Sequence, residues 1–167
     1  DASIILLGWR GKATLQQSLM GTVLDEVIWG TSRPVLVGKL SSPINSMQRV
    51  VVVIPSNSVQ PVTLRRTLEV VAALSNAVNV PALVLVDGIY EEKIFGMVEH
   101  LQSDQPIEVT PIKGNMLRRV LEIVGEADMI VVPSSGSRKH FLTNLGDLPE
   151  RLTQTAAGNV MVLHYPQ

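Results

Sequence analysis

The sequence predicts an α/β protein built on a doubly wound parallel sheet. Two local observations carry that expectation. Short aliphatic runs alternate along the chain with segments of helical period, and strands alternating with helices join through right-handed crossovers into a parallel sheet. The runs are dominated by Val, Ile and Leu, while aromatic residues are only 4% of the 167, which suits strands covered by helices on both faces. A third observation is internal repetition. Shifted by 125 residues, Ile5 falls on Ile130, Gly11 on Gly136, Gly21 on Gly146, and Val35 and Val37 on Val160 and Val162, without a gap. A period the size of a whole domain signals two tandem copies.

Taken in order, the apolar run Ile4 to Leu7 is a strand that stops at Gly8. Gly11 and Gly21-Thr22 follow, then a helical segment, Val23 to Trp29, and a second strand, Pro34 to Val37. The polar, proline-bearing stretch around Ser41-Ser42-Pro43 makes residues 41–48 a linker. Val50 to Ile54, five β-branched residues in a row, reads as a strand buried on both faces. Leu64, Leu68, Val71, Leu74 and Val78 recur at helical spacing and make Val62 to Val78 amphipathic. Strands follow at Ala82 to Val86, Ile107 to Ile112, Met129 to Val132 and Val160 to His164. Helices are expected at Glu91 to Leu101, Asn115 to Val124 and Leu148 to Ala157. Residues 49–167 therefore form a complete copy, and residues 1–40 are the closing strand-helix-strand of a preceding one. On this reading the chain is the C-terminal end of a longer protein. The strand Ile4 to Leu7 then lacks a neighbour, and an unpaired apolar edge must be covered. Another chain, a missing piece or the complete copy would each serve.

Composition excludes several functions. Fourteen Lys and Arg against fifteen Asp and Glu give a net charge of −1, without the basic excess that nucleic acid requires. The absence of cysteine removes disulfides and thiolate chemistry and suits a reducing compartment. No apolar run approaches the ~20 residues that cross a bilayer, and no signal peptide is apparent, so the chain itself is expected to be soluble.

The spacing Gly8-x2-Gly11-x9-Gly21-Thr22 carries the chemistry. Glycines let the backbone turn and approach a ligand. A helix start at Gly21-Thr22 offers free N–H groups and the positive end of the dipole to an anion. The stretch reads as a phosphate cradle, or as a loop of the same shape that binds nothing. Trp9 would stack on a base or cover the strand end. The spacing resembles the nucleotide-binding signature of the universal stress protein family, and Pro34 to Val37 resembles that family's last strand. The resemblance implies a five-stranded parallel sheet of order 3-2-1-4-5. It implies nucleotide contacts from Gly8, Arg10, Gly11, Lys12, Gly21, Thr22 and Val23, with ATP or AMP as ligand. With the base and ribose side of the first copy missing, binding by this chain is expected to be weak or limited to phosphate.

Tandem copies with a Gly-Trp-Arg-Gly loop resemble the cytoplasmic C-terminal region of membrane cation/proton antiporters. That likeness implies a regulatory domain tethered to a transmembrane transport domain, and a homodimer. The strands Val35 to Val37 and Val160 to His164 are the expected meeting edges. A free-standing tandem stress protein binding ATP or AMP, and a dimerisation scaffold binding no ligand, are the alternatives.

The second copy reads as decayed. Pro133 stands at the position of Gly8, where a fixed φ and a lost N–H compromise the turn. Asp147 stands at the position of Thr22, where a carboxylate repels phosphate and is expected instead to cap its own helix. Ser134, Ser135, Gly136, Ser137 and Arg138 form a donor-rich loop that would hold at most a lone anion. The acidic residue that the family places after its first strand is absent, Pro55-Ser56-Asn57-Ser58 standing there. His100, His140 and His164 are scattered, without metal-ligand spacing. No catalytic residues, no metal and no enzyme activity beyond slow nucleotide hydrolysis are expected.

Overall fold

The structure, a computed structural model, describes residues 4–9, 24, 26–28, 30–55, 60–134 and 146–166. Seven strands are β1 (Ile5–Gly8), β2 (Val35–Lys39), β3 (Arg49–Ile54), β4 (Ala82–Asp87), β5 (Ile107–Ile112), β6 (Asp128–Pro133) and β7 (Asn159–His164). The helices are α1 (Pro61–Val78), α2 (Glu91–Val98), α3 (Met116–Ile123) and α4 (Asp147–Thr155). Residues 24, 26–28 and 30 are helical as well.

All seven strands share one sheet, in the order β1-β2-β7-β6-β3-β4-β5. Within it the five strands of residues 49–167 run parallel in the order β5-β4-β3-β6-β7, the 3-2-1-4-5 order expected of the complete copy; the sheet exceeds five strands because β1 and β2 join it along β7. The sheet is mixed because β2 runs antiparallel to β7, with Val37 opposite Val162, while every other neighbouring pair is parallel. The two strands expected to meet across a dimer thus meet inside one chain.

The sequence repeat is also a structural repeat. Ile5 pairs with Val35 as Ile130 pairs with Val160, and Leu7 with Val37 as Val132 with Val162. The hydrogen bond from Trp9 N to Gly38 O, 2.8 Å, recurs 125 residues later from Ser134 N to Leu163 O, also 2.8 Å.

Two apolar layers hold the sheet. On one face Leu24, Ile28, Val120 and Leu152 pack against Val35, Val37, Val51, Val53, Ile130, Val132, Val160 and Val162. On the other, Leu64, Leu68 and Val71 of α1 and Ile94 of α2 cover Val50, Val52, Val84, Val86, Met129 and Val131. Fully burying an aliphatic side chain contributes about 1.5–3 kcal/mol, so these layers, rather than the surface ion pairs, decide stability. Helix α2 stops at Val98 rather than Leu101. Its end tightens into i→i−3 bonds, His100 N to Met97 O and Leu101 N to Val98 O, a common way to satisfy terminal carbonyls.

Buried polar groups lock the end of the sheet where the second copy's strands begin. Asn159 is fully buried; its Oδ1 accepts from Ser41 N (2.6 Å) and Ser42 N (3.0 Å), and its Nδ2 donates to Ser42 O (3.0 Å). The linker is thereby tied to the start of β7. Arg49 grips Asp128 through Nε (3.1 Å) and Nη2 (2.7 Å), and Gly125 N also donates to that carboxylate (2.9 Å). Gly158 lies so close to backbone that a Cβ would sit 2.7 Å from Asp128 O and 2.9 Å from Gly125 O.

Candidate functional site

In parallel α/β sheets, ligands bind at the carboxyl ends of the strands. The antiparallel β2–β7 pair splits those ends between opposite sides of this sheet. β3, β4, β6 and β7 end at Ile54, Asp87, Pro133 and His164, whereas β1 and β2 end at Gly8 and Lys39, beside the start of β7. Lys39 pairs with Val160, and Val35 with His164. The strands that precede the two glycine-spaced loops, β1 and β6, therefore end on opposite sides of the sheet.

At the first-copy end, Gly8 closes β1 opposite Gly38. Its φ is not positive, and among the described residues a Cβ there would meet nothing within 4 Å. A left-handed backbone is therefore not what calls for glycine at this residue. Trp9 is half-buried against the core layer of Leu24 and Ile28. It covers the strand end. Lys39 donates through Nζ to Ala156 O, and burial lowers its pKa below the ordinary lysine value. Arg10, Gly11, Lys12, Gly21, Thr22 and Val23 lie outside the described residues.

At the second-copy end, Ser134 is drawn into the fold. Its N–H donates to Leu163 O, and its hydroxyl lies 2.8 Å from His164 Nδ1. Burial lowers the His164 pKa, which favours the neutral ring, and the ring's tautomer sets which of the two atoms donates. A hydroxyl beside an imidazole can be an activated nucleophile. Here, though, His164 is 5% exposed and Ser134 occupies the ladder position of Trp9, so the pair closes the strand ends. The N–H and the hydroxyl of Ser134 are both engaged internally. Ser135, Gly136, Ser137 and Arg138 lie outside the described residues.

The start of α4 corrects one expectation. Its N-cap is Gly146, at φ 102° and ψ 161°, with no side-chain capping bond. That region is essentially reserved for glycine. Asp147 is therefore the first helical residue, and its carboxylate meets Arg151 Nε at 2.9 Å.

A groove of about 700 Å³ separates α1 from α2, with Arg65, Glu69, Asn76, Lys93, Met97 and His100 on its walls. It lies over a face of the sheet, and neither Gly8, Trp9, Ser134 nor Gly146 lines it. The mixed charges of Arg65, Glu69 and Lys93 match no single ligand class. Among the described residues, no three metal-ligating side chains come together, and no helix is long and apolar enough to cross a membrane.

No family model matches the chain, and no curated protein matches it in sequence. Solved structures match it in shape. A universal stress protein crystallised in complex with cAMP is 20% identical; the match covers 71% of this chain and 97% of that one, with a TM-score of 0.56. A universal stress protein from Archaeoglobus fulgidus DSM 4304 is 23% identical over 96% of this chain and 60% of its own, with a TM-score of 0.57. The cytoplasmic domain of a prokaryotic cation chloride cotransporter is 10% identical over 96% of this chain and 62% of its own, with a TM-score of 0.65. The chain has the α/β fold of universal stress proteins, a fold also used by the cytoplasmic part of a transporter. It spans about three fifths of the length of the latter two structures.

Proposed function

We propose that this chain is a nucleotide-sensing regulatory domain on the cytoplasmic side of a membrane cation/proton antiporter, and that it acts as a homodimer. The observation that carries the reading is the likeness, over 96% of the chain, to a transporter's cytoplasmic domain. Both copies are needed for that span, since the complete copy alone is residues 49–167. The ligand is an adenine nucleotide with its phosphates at Gly8, Gly11, Gly21 and Thr22, and Arg10 and Lys12 supply charge. The glycine spacing supports this. The cAMP held by one structural neighbour favours the same ligand class. Binding is the whole activity, with no catalytic step.

Calorimetric titration of ATP and AMP into the chain and into Gly21→Val is the test. Weak binding that Gly21→Val abolishes is expected. Equal binding by both proteins would move the site elsewhere. A scaffold that binds no ligand is the second reading, favoured by the internal engagement of the Ser134 N–H and hydroxyl; the absence of heat with either nucleotide would support it.

A further inference from the structure

The outer edge of β1 is the least finished surface of the fold. Ile5 N donates to Pro34 O and Trp9 N to Gly38 O, so Ile5, Leu7 and Trp9 turn their peptide groups towards β2. By the alternation of a parallel ladder, Ile4, Leu6 and Gly8 turn theirs the other way. Among the described residues no strand lies on that side. The side chains there are apolar: Leu6 is 68% exposed and Ile4 43%.

The internal repeat states what such an edge fits. Leu6 corresponds to Val131 and Ile4 to Met129, and both of those are fully buried. Two elements bury them. β3 pairs with β6, with Val50 opposite Met129 and Val52 opposite Val131. α1 then lays Leu64, Leu68 and Val71 over the same face. A second copy pairing through its own β1 would satisfy the peptide groups but bring no helix over Leu6.

We propose that the β1 edge is a docking surface for a strand-helix partner with the chemistry of β3 and α1. That partner is an aliphatic strand running parallel to β1, continuing into a helix whose apolar face covers Ile4 and Leu6. Its register follows from the repeat. Residues equivalent to Val50, Val51 and Val52 lie opposite Ile4, Ile5 and Leu6.

The probe is the chain's own sequence. Residues 49–125 are duplicated directly ahead of Asp1, which sets a β3–α1 unit at the spacing it has before β6. Amide hydrogen exchange is read at Ile4, Leu6 and Gly8 in the natural and the extended chain. Protection of these amides is expected to rise at least tenfold on extension. Leu6→Lys should leave the melting temperature of the natural chain within about 1 °C and lower that of the extended chain by several degrees. Unchanged protection would overturn the proposal, as would failure of the extended chain to fold while the natural chain folds. Concentration-dependent protection of the same amides in the natural chain would overturn it in favour of β1 pairing with a second copy.

Discussion

Replacing Asn159 by Ala removes the clamp between the linker and the start of β7. Three hydrogen bonds are lost, to Ser41 N, Ser42 N and Ser42 O, each contributing about 0.5–1.5 kcal/mol net. Ser41 is exposed and Ser42 half-buried, so water can replace part of what is lost, and the lower half of the range applies. The side chain was fully buried, so a small void also remains. The expected cost is about 2–3 kcal/mol. For a chain of this size that lowers Tm by roughly 4–12 °C. The loss should concentrate at the copy junction, because the linker and β2 flank β7 there. Thermal melting, combined with hydrogen exchange at Ser41, Ser42 and the β2 amides, is the assay. Asn159→Asp is the informative companion. It keeps an acceptor for the two N–H groups but sets a second carboxylate oxygen about 3.0 Å from Ser42 O, so it should not rescue. A melting temperature within 1 °C of the parent for Asn159→Ala, or full stability in Asn159→Asp, would refute the reasoning.

Further outcomes follow from the same geometry. Gly158→Ala forces a Cβ against the Asp128 and Gly125 carbonyls; backbone cannot step aside, so denaturant unfolding should show a loss of about 2–3 kcal/mol. Gly146→Ala strains the backbone instead, since a φ of 102° costs an L-residue about 1–3 kcal/mol, measurable in the same way. Burial lowers the His164 pKa in the folded state, so the unfolded chain binds that proton first. The stability that a neutral His164 confers is complete above an unfolded pKa near 6.5 and is lost as pH falls through the folded value. His164→Gln should flatten this acid limb in a melt-versus-pH series. Light scattering should give twice the mass of one chain if the homodimer forms, and a single mass at all concentrations would remove it.

Most elements were legible because their signals are local. The β-branched run at Val50 to Ile54 and the spacing of Leu64, Leu68 and Val71 each fix an element type without knowledge of the rest. The repeat was legible too, since pairing register travels with it from β1–β2 to β6–β7. The antiparallel union of β2 with β7 was not. Both strands are aliphatic on both faces, so nothing local distinguishes one neighbour from another, and direction depends on how the linker travels. Nor did the sequence disclose that Asn159, the first residue of β7, holds Ser41 and Ser42 across 118 and 117 positions. The start of α4 was misplaced by one residue because Asp is a strong N-cap; a glycine at φ 102° took that role and left Asp147 to Arg151. His164 reads in sequence as strand packing, and its bond to Ser134 comes from strand ends brought together only by the sheet.

The most direct measurement is an amide NMR titration of the chain with ATP. The first-copy loop and the second-copy strand ends lie at opposite ends of the sheet, so location and binding are read together. The account predicts shifts at Gly8, Trp9 and residues 10–12 and 21–23, spreading to Lys39, with Asp87, Ser134 and His164 unmoved. Shifts centred on Ser134, Gly146 and Asp147, with Gly8 and Trp9 silent, would contradict it.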